Sequence, residues 1–269
     1  GANGLSLNGA LSLSNVKLTG KVIDTLDAKV TVSPQDKQLR VDDINGTVAG
    51  GQLHGNVLGV FDGPGRYEAS MVMSDAEVGR LLLPANATAD ERAKLGTGHV
   101  TATLSLQQTF GPRGERTGRG DLVVKDGVLY NVPLALGLLQ VATLRLPVAR
   151  SFDGASMAYY LRDNRVTFER ILLQSKGVDL AGAGTLTLNT DKDNGGMGAG
   201  VLDLNFVTES PNDWNIPILS PILKTTQREL LQLSVTGTVD NPRVIPVPLT
   251  SIANTLQALL PKRAAKSGP

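Results

Sequence analysis

Apolar residues recur at every second position, and the run restarts after each glycine-rich break. Leu5, Leu7, Leu11 and Leu13 open it, and Leu26, Ala28, Val30 and Val32 continue it. Val100, Ala102, Leu104 and Leu106 repeat it, followed by Leu186 and Leu188, then Leu202, Leu204 and Phe206. Strict alternation places apolar groups on one sheet face and polar groups on the other. The pattern therefore predicts a mainly β fold built on a large, mostly antiparallel sheet with one apolar and one wetted face. The functional question is whether protein or a ligand covers the apolar face.

Residues 1–73 form the first β meander. Its apolar phase slips from odd to even positions at Ser14 and Asn15, which requires a turn or a bulge. Ser33-Pro34-Gln35-Asp36 is a turn, and Asn45-Gly46, Gly50-Gly51 and Asp62-Gly63-Pro64-Gly65 are further breaks. Residues 74–97 form a helical insertion. Ser74-Asp75 is expected to cap one short helix through Leu83, ended by Pro84, and Thr88 with Glu91 has capping-box spacing for another through Lys94. Residues 98–249 return to strands, with Asp126-Gly127 as a hairpin turn and an apolar helix over 133–146 opened by Pro133. A helix that is apolar nearly all round is buried or faces lipid. Residues 191–200 are a polar, glycine-rich loop, and 217–231 mix helix with extended chain. Residues 240–242 turn a last hairpin. Residues 250–269 are a short amphipathic helix and a basic tail.

Composition narrows the picture. The 269 residues carry 26 basic and 25 acidic groups, a net charge of +1, which argues against a nucleic-acid partner. The absence of cysteine excludes disulfides, thiolate metal sites and a cysteine nucleophile. Aromatics are only 4%, so the apolar face must be aliphatic. No apolar run is long enough to span a membrane. The chain opens Gly1-Ala2-Asn3 without Met, as expected of a fragment or a processed product.

The search for reaction chemistry finds no catalytic constellation and implies no cofactor. His54 and His99 are each alone in their segments, with no metal-ligand spacing, so no metal site is expected. The nucleophile elbow, the phosphate-binding loop and the dinucleotide fingerprint are all missing. Asp191, Asp193 and Gly195 resemble the start of a calcium loop but lack its later ligands. Arg119-Gly120-Asp121 spells an integrin tripeptide whose Asp enters a strand. A loose hydrophobic-x-Gly-x-hydrophobic repeat runs through Leu53-Gly55-Val57 and Val235-Gly237-Val239. It suits stacked hairpins, or simply glycine tolerated in strands.

From Gly120 to Tyr130, through the apolar 133–144 segment, Val166–Ser175 and Val178–Leu186, to the closing Val235-Thr236-Gly237-Thr238-Val239-Asp240-Asn241-Pro242, the order of features resembles the C-terminal region of the AsmA-like proteins. These are relatives of TamB and of the bridge-like lipid-transfer proteins. Ile44–Gly55 resembles the repeated unit of the same family. The resemblance implies a long curved sheet forming an open hydrophobic groove with a few short covering helices. It also implies a periplasmic location and an inner-membrane anchor upstream of Gly1. The implied role is to move phospholipid toward the outer membrane or to support outer-membrane assembly, without catalysis.

Burial of acyl chains gains roughly 0.8 kcal/mol per CH₂, so about a dozen methylenes suffice for firm holding. About fourteen strands at about 4.8 Å would span roughly 65 Å. The expected lipid-contacting positions are Leu26, Val30, Leu104, Leu106, Val124, Leu186, Leu188, Leu204 and Phe206. The expected partners are phospholipid acyl chains and a membrane surface, toward which the basic tail would incline. The alternative is a structural or interaction domain in which the same residues form a closed core. An enzyme acting on carbohydrate is the weakest alternative, because stacking aromatics are scarce.

Overall fold

The structure, a computed structural model, describes residues 6–18, 21–82, 88–91, 97–129, 132–143, 151–176, 179–188, 200–209 and 232–247. The described strands make one sheet. They are β1 (Leu7–Leu18), β2 (Lys21–Ser33), β3 (Gln38–Val48), β4 (Gly51–Val60), β5 (Arg66–Glu77), β6 (Thr97–Thr109) and β7 (Arg116–Val128), then β8 (Gly154–Arg162), β9 (Arg165–Gln174), β10 (Asp179–Thr187), β11 (Val201–Glu209), β12 (Gln232–Thr238) and β13 (Pro242–Val247). Each pairs antiparallel with its sequence neighbours, in the order β1 to β13 without a crossover, and the two edges do not meet. Thirteen strands at about 4.8 Å span roughly 58 Å, close to the width expected from the alternation.

Two helices lie at the end of strands. α1 (Val78–Leu82) follows β5 and packs on β5 and β6, and α2 (Pro133–Thr143) packs on β13. Pro133 opens α2 where its missing N–H costs nothing, and Leu136 N–H donates to Val132 O at 2.8 Å. Arg80 of α1 donates to Asp24 of β2 at 3.1 Å and lies 3.7 Å from Glu77, which ties the helix across the Ala49-Gly50 turn.

Several expected turns are strand interior. Asn45-Gly46 lies inside β3, and Asp126-Gly127 lies inside β7 and turns no hairpin. Ser74-Asp75 belongs to β5, so no helix is capped there and the helix starts at Val78. β5 pairs directly with β6, so the β regions on either side of 74–97 are one sheet. The common cause is a bulge. Asn15, Asp43, Asp75 and Asp126 hold φ values of 53°, 51°, 61° and 50°, and each sits where the pairing of its strand skips a residue or its apolar phase changes. Asn and Asp tolerate the left-handed region better than other side chains. A bulge on each of β3, β5 and β7 adds twist without ending the strand, whereas at Asn15 only the local pair is lost and the β1–β2 register runs on unchanged.

The expected capping box is present: Thr88 N–H donates to Glu91 Oε2 at 2.7 Å, and Glu91 N–H to Thr88 Oγ1 at 3.2 Å. The backbone N–H of Thr88, and then its hydroxyl, hold the Glu91 carboxyl below its usual 4.5. A depressed carboxyl stabilises the fold above its unfolded pKa and loses that contribution as pH falls through the folded value. Hydrogen exchange at the Glu91 amide should therefore speed up, relative to its intrinsic rate, as pH drops below the carboxylate range. Glu91→Gln should remove that pH dependence. The expected helix ends at 83–84, 92–94 and 144–146, the 191–199 loop and the 217–231 and 250–269 segments lie outside the described residues.

Candidate functional site

Cross-strand partners share a face, so the register of each pair carries one face across the whole sheet. Leu7 and Leu11 oppose Val32 and Ala28, and Val30 opposes Val41. Val57 opposes Ala69, Met71 opposes Leu104, and Ala102 opposes Leu122. Met157 opposes Ile171, Leu186 opposes Leu202, and Leu204 opposes Val235, which opposes Val244. At regularly paired, described positions this face carries no Asp, Glu or His; Lys21 opposite Leu18 and Arg116 opposite Gln108 are its charged positions, each at the margin.

Several in-strand glycines, Gly55 of the loose repeat among them, lie on this same face opposite bulky side chains. Gly59 faces Tyr67, Gly55 faces Met71, Gly120 faces Tyr159, Gly184 faces Phe168 and Gly182 faces Phe206. A Cβ at Gly120 would lie 2.6 Å from the Tyr159 hydroxyl. Gly55, Gly120 and Gly182 make room for the Met71 thioether and the Tyr159 and Phe206 rings laid over the neighbouring backbone.

The positions singled out by alternation all fall on this face, but their surroundings differ. Phe206, Leu204 and Val124 are buried in one cluster with Leu233, Val235, Leu180 and Phe152. Leu138 and Leu139 of α2 and Val78 of α1 belong to it too. Leu186 packs at its margin, and Leu188 follows on the same side, half-buried. Leu26, Val30, Leu104 and Leu106 are half-buried and lie outside the cluster. The cover thins further toward β1, where Leu13 is 39% and Leu7 58% exposed. One end of the face is thus a closed core and the other keeps its aliphatic side chains partly in solvent.

Tyr159 escaped the search for alternating aliphatics. Its ring lies edge-on to Phe168 at 6.4 Å, and its hydroxyl donates to Thr103 O at 3.3 Å. Burial, and then the Asp121 carboxylate, push its pKa up. Tyr67 similarly pairs with Phe110 at 5.8 Å and donates to Gln108 at 3.1 Å. Each is an apolar body with a polar tip, and the signal was available as Tyr at an in-phase strand position.

No family model, no curated protein and no solved structure matches this chain.

The opposite face is polar. An open depression of about 690 Å³ over β5 to β8 draws mainly on it, including Glu68, Gln107, Arg119, Tyr160 and Arg162. His54 Nδ1–H donates to Asn45 Oδ1 at 2.8 Å, and His99 lies 3.0 Å from Asp75, each on the strand surface. Among the described residues no three His, Cys, Asp or Glu side chains gather as metal ligands, and no helix is long and apolar enough to cross a membrane.

Proposed function

We propose that this chain is a non-catalytic lipid-binding and lipid-transfer module whose apolar face holds phospholipid acyl chains. The observation that carries the reading is the apolar face, continuous across the sheet and charged only at its margins, on whose β1–β6 stretch Leu26, Val30, Leu104 and Leu106 are left half-buried. Leu26, Val30, Leu104 and Leu106 are the contacts offered to the chains, together with Met71 beside Leu104. An aliphatic surface without charged partners solvates acyl chains and leaves headgroups in water, so selectivity for headgroup is low. In this reading the face is an open hydrophobic groove, Val124, Leu204 and Phe206 anchor its closed end, and Leu186 and Leu188 lie between the two. The resemblance to the AsmA-like proteins extends the proposal to a place in the periplasm. There the chain, anchored to the inner membrane, forms part of a phospholipid conduit or supports outer-membrane assembly.

The second reading is a structural or interaction domain with no lipid ligand. The cluster around Phe206 and Leu204 favours it, because there the apolar face is ordinary core.

Lipid mass spectrometry on the chain, expressed in bacteria and purified without detergent beside a β protein of similar size, separates the two. Stoichiometric phospholipid in this chain and none in the control is the expected result. A folded, monodisperse and lipid-free chain would overturn the lipid reading in favour of the second.

A further inference from the structure

Two neighbouring hairpin tips share a design. The β4–β5 tip reads Phe61-Asp62-Gly63-Pro64-Gly65, and the β6–β7 tip reads Phe110-Gly111-Pro112-Arg113-Gly114. The chain has 5 phenylalanines. Phe152 and Phe206 are fully buried and Phe168 packs against the core cluster, yet Phe61 is 60% and Phe110 45% exposed. Their backbones are fixed. Phe61 N–H donates to Lys37 O at 2.7 Å, and Phe110 N–H donates to Gly65 O at 2.9 Å, so each tip is tied to the hairpin beside it.

Both rings lie at the rim of the apolar face. A Cβ at Gly59 would lie 3.3 Å from the Phe61 ring, and one at Gly65 would lie 3.4 Å from the Phe110 ring. Tyr67, opposite Gly59, joins them through its contact with Phe110. From this rim the face runs down β4 and β5 through Val57, Ala69 and Met71 without a charged side chain. Ion pairs take up much of the charge at the same end, where Lys37 holds Asp62 and Arg162 holds Glu115, each at 2.6 Å. Arg113 is exposed, with no acidic partner among the described residues. Arg116 donates to the Asp163 carbonyl at 2.9 Å, which leaves its charge unneutralised.

We infer that the Phe61 and Phe110 tips are where the chain meets an anionic phospholipid bilayer. Both rings enter the interface, Tyr67 stands behind them with its hydroxyl toward polar groups, and Arg113 lies at headgroup level. Aromatic rings beside cations suit that boundary, where apolar burial and attraction to anionic lipid add. The choice of a bilayer over a protein rests on the reading of the apolar face as an acyl-chain surface. A chain passing between the two rings reaches the half-buried stretch at Leu106 and Leu104 without crossing a charged row.

The chain has no cysteine, so single-cysteine variants carrying an environment-sensitive fluorophore are unambiguous. Phe61→Cys and Phe110→Cys are expected to brighten with vesicles of phosphatidylcholine and phosphatidylglycerol. Val128→Cys, 39% exposed at the far end of β7, is expected to stay unchanged. In co-sedimentation, Phe61→Ala with Phe110→Ala should weaken vesicle binding about tenfold or more. Arg113→Glu should weaken it about fivefold on the anionic vesicles and leave binding to pure phosphatidylcholine unchanged. These positions are exposed, so circular dichroism should report the wild-type fold. Tip labels that stay dark beside vesicles would overturn the inference and leave the tips to a protein partner. Binding that the double alanine variant leaves intact would overturn it too. A chain that purifies with lipid but ignores vesicles would overturn the docking surface alone. One that purifies lipid-free yet binds vesicles through the tips would sustain the docking surface and overturn the acyl-chain reading.

Discussion

Phe206→Ala is expected to lower the unfolding free energy by about 3–5 kcal/mol, the range for emptying an aromatic site in a packed core. Phe206 is fully buried, opposed by Gly182 on β10 and Leu233 on β12. Its ring lies over the Gly182 backbone so closely that a Cβ there would run into it. The neighbouring strands are tied by backbone hydrogen bonds and cannot close the void, so little relaxation offsets the loss. The urea midpoint should fall, with the slope unchanged if the rest of the fold persists. Gly182→Ala should also destabilise the native chain, but much less in the Phe206→Ala background, where the ring is gone. That non-additivity, read as a double-mutant cycle, tests the contact itself. Additive losses would show that the ring does not occupy the glycine's space.

Leu104→Asp and Leu204→Asp should part company. Leu204 is 1% exposed and sits in the closed cluster, so an unpaired carboxylate there is expected to unfold the protein. Leu104 occupies the same face and the same alternation but is only half-buried, opposite Met71. Its carboxylate can reach water, so circular dichroism should report a folded chain. If the face holds acyl chains, the charge in their path should cut retained phospholipid about tenfold, equivalent to about 1.4 kcal/mol. A folded Leu104→Asp variant that retains its full complement of lipid would remove Leu104 from the proposed contact surface. An unfolded one would place it in core.

The alternation that reveals the sheet is legible because period 2 follows from strand geometry alone and needs no knowledge of what the strand meets. Leu104 and Leu204 therefore look identical in sequence. Their difference depends on where α2 and the α1 residues Val78 and Leu81 come to rest, and that is fixed by tertiary packing. The bulges were legible in part. The phase slip at Asn15 is visible because apolar residues flank it on both sides. Asp43 lies beside the expected Asn45-Gly46 break, Asp75 in the expected helix cap and Asp126 in the expected hairpin turn, because a side chain that tolerates positive φ serves all three. Only pairing with the adjacent strand distinguishes a bulge from those alternatives. The segments around Gly120 and Gly182 match the hydrophobic-x-Gly-x-hydrophobic repeat only in part, and their partners Tyr159 and Phe206 lie on other strands and cannot be read from spacing.

The order of the strands in the sheet is the order of the strands in the chain. In its connectivity the fold is one-dimensional: each strand draws stability from two neighbours, and the first and last from one. From β1 to β5 such an array behaves as a zipper, with a nearest-neighbour term for every added strand, whereas α2, which follows β7, packs on β13 and joins the other end into one cluster. The terms are unequal, since the cluster near β11 and β12 fastens one end far more firmly than Leu7 and Leu13 fasten the other. Opening should then begin at β1 and travel inward, leaving a folded remnant around Phe206.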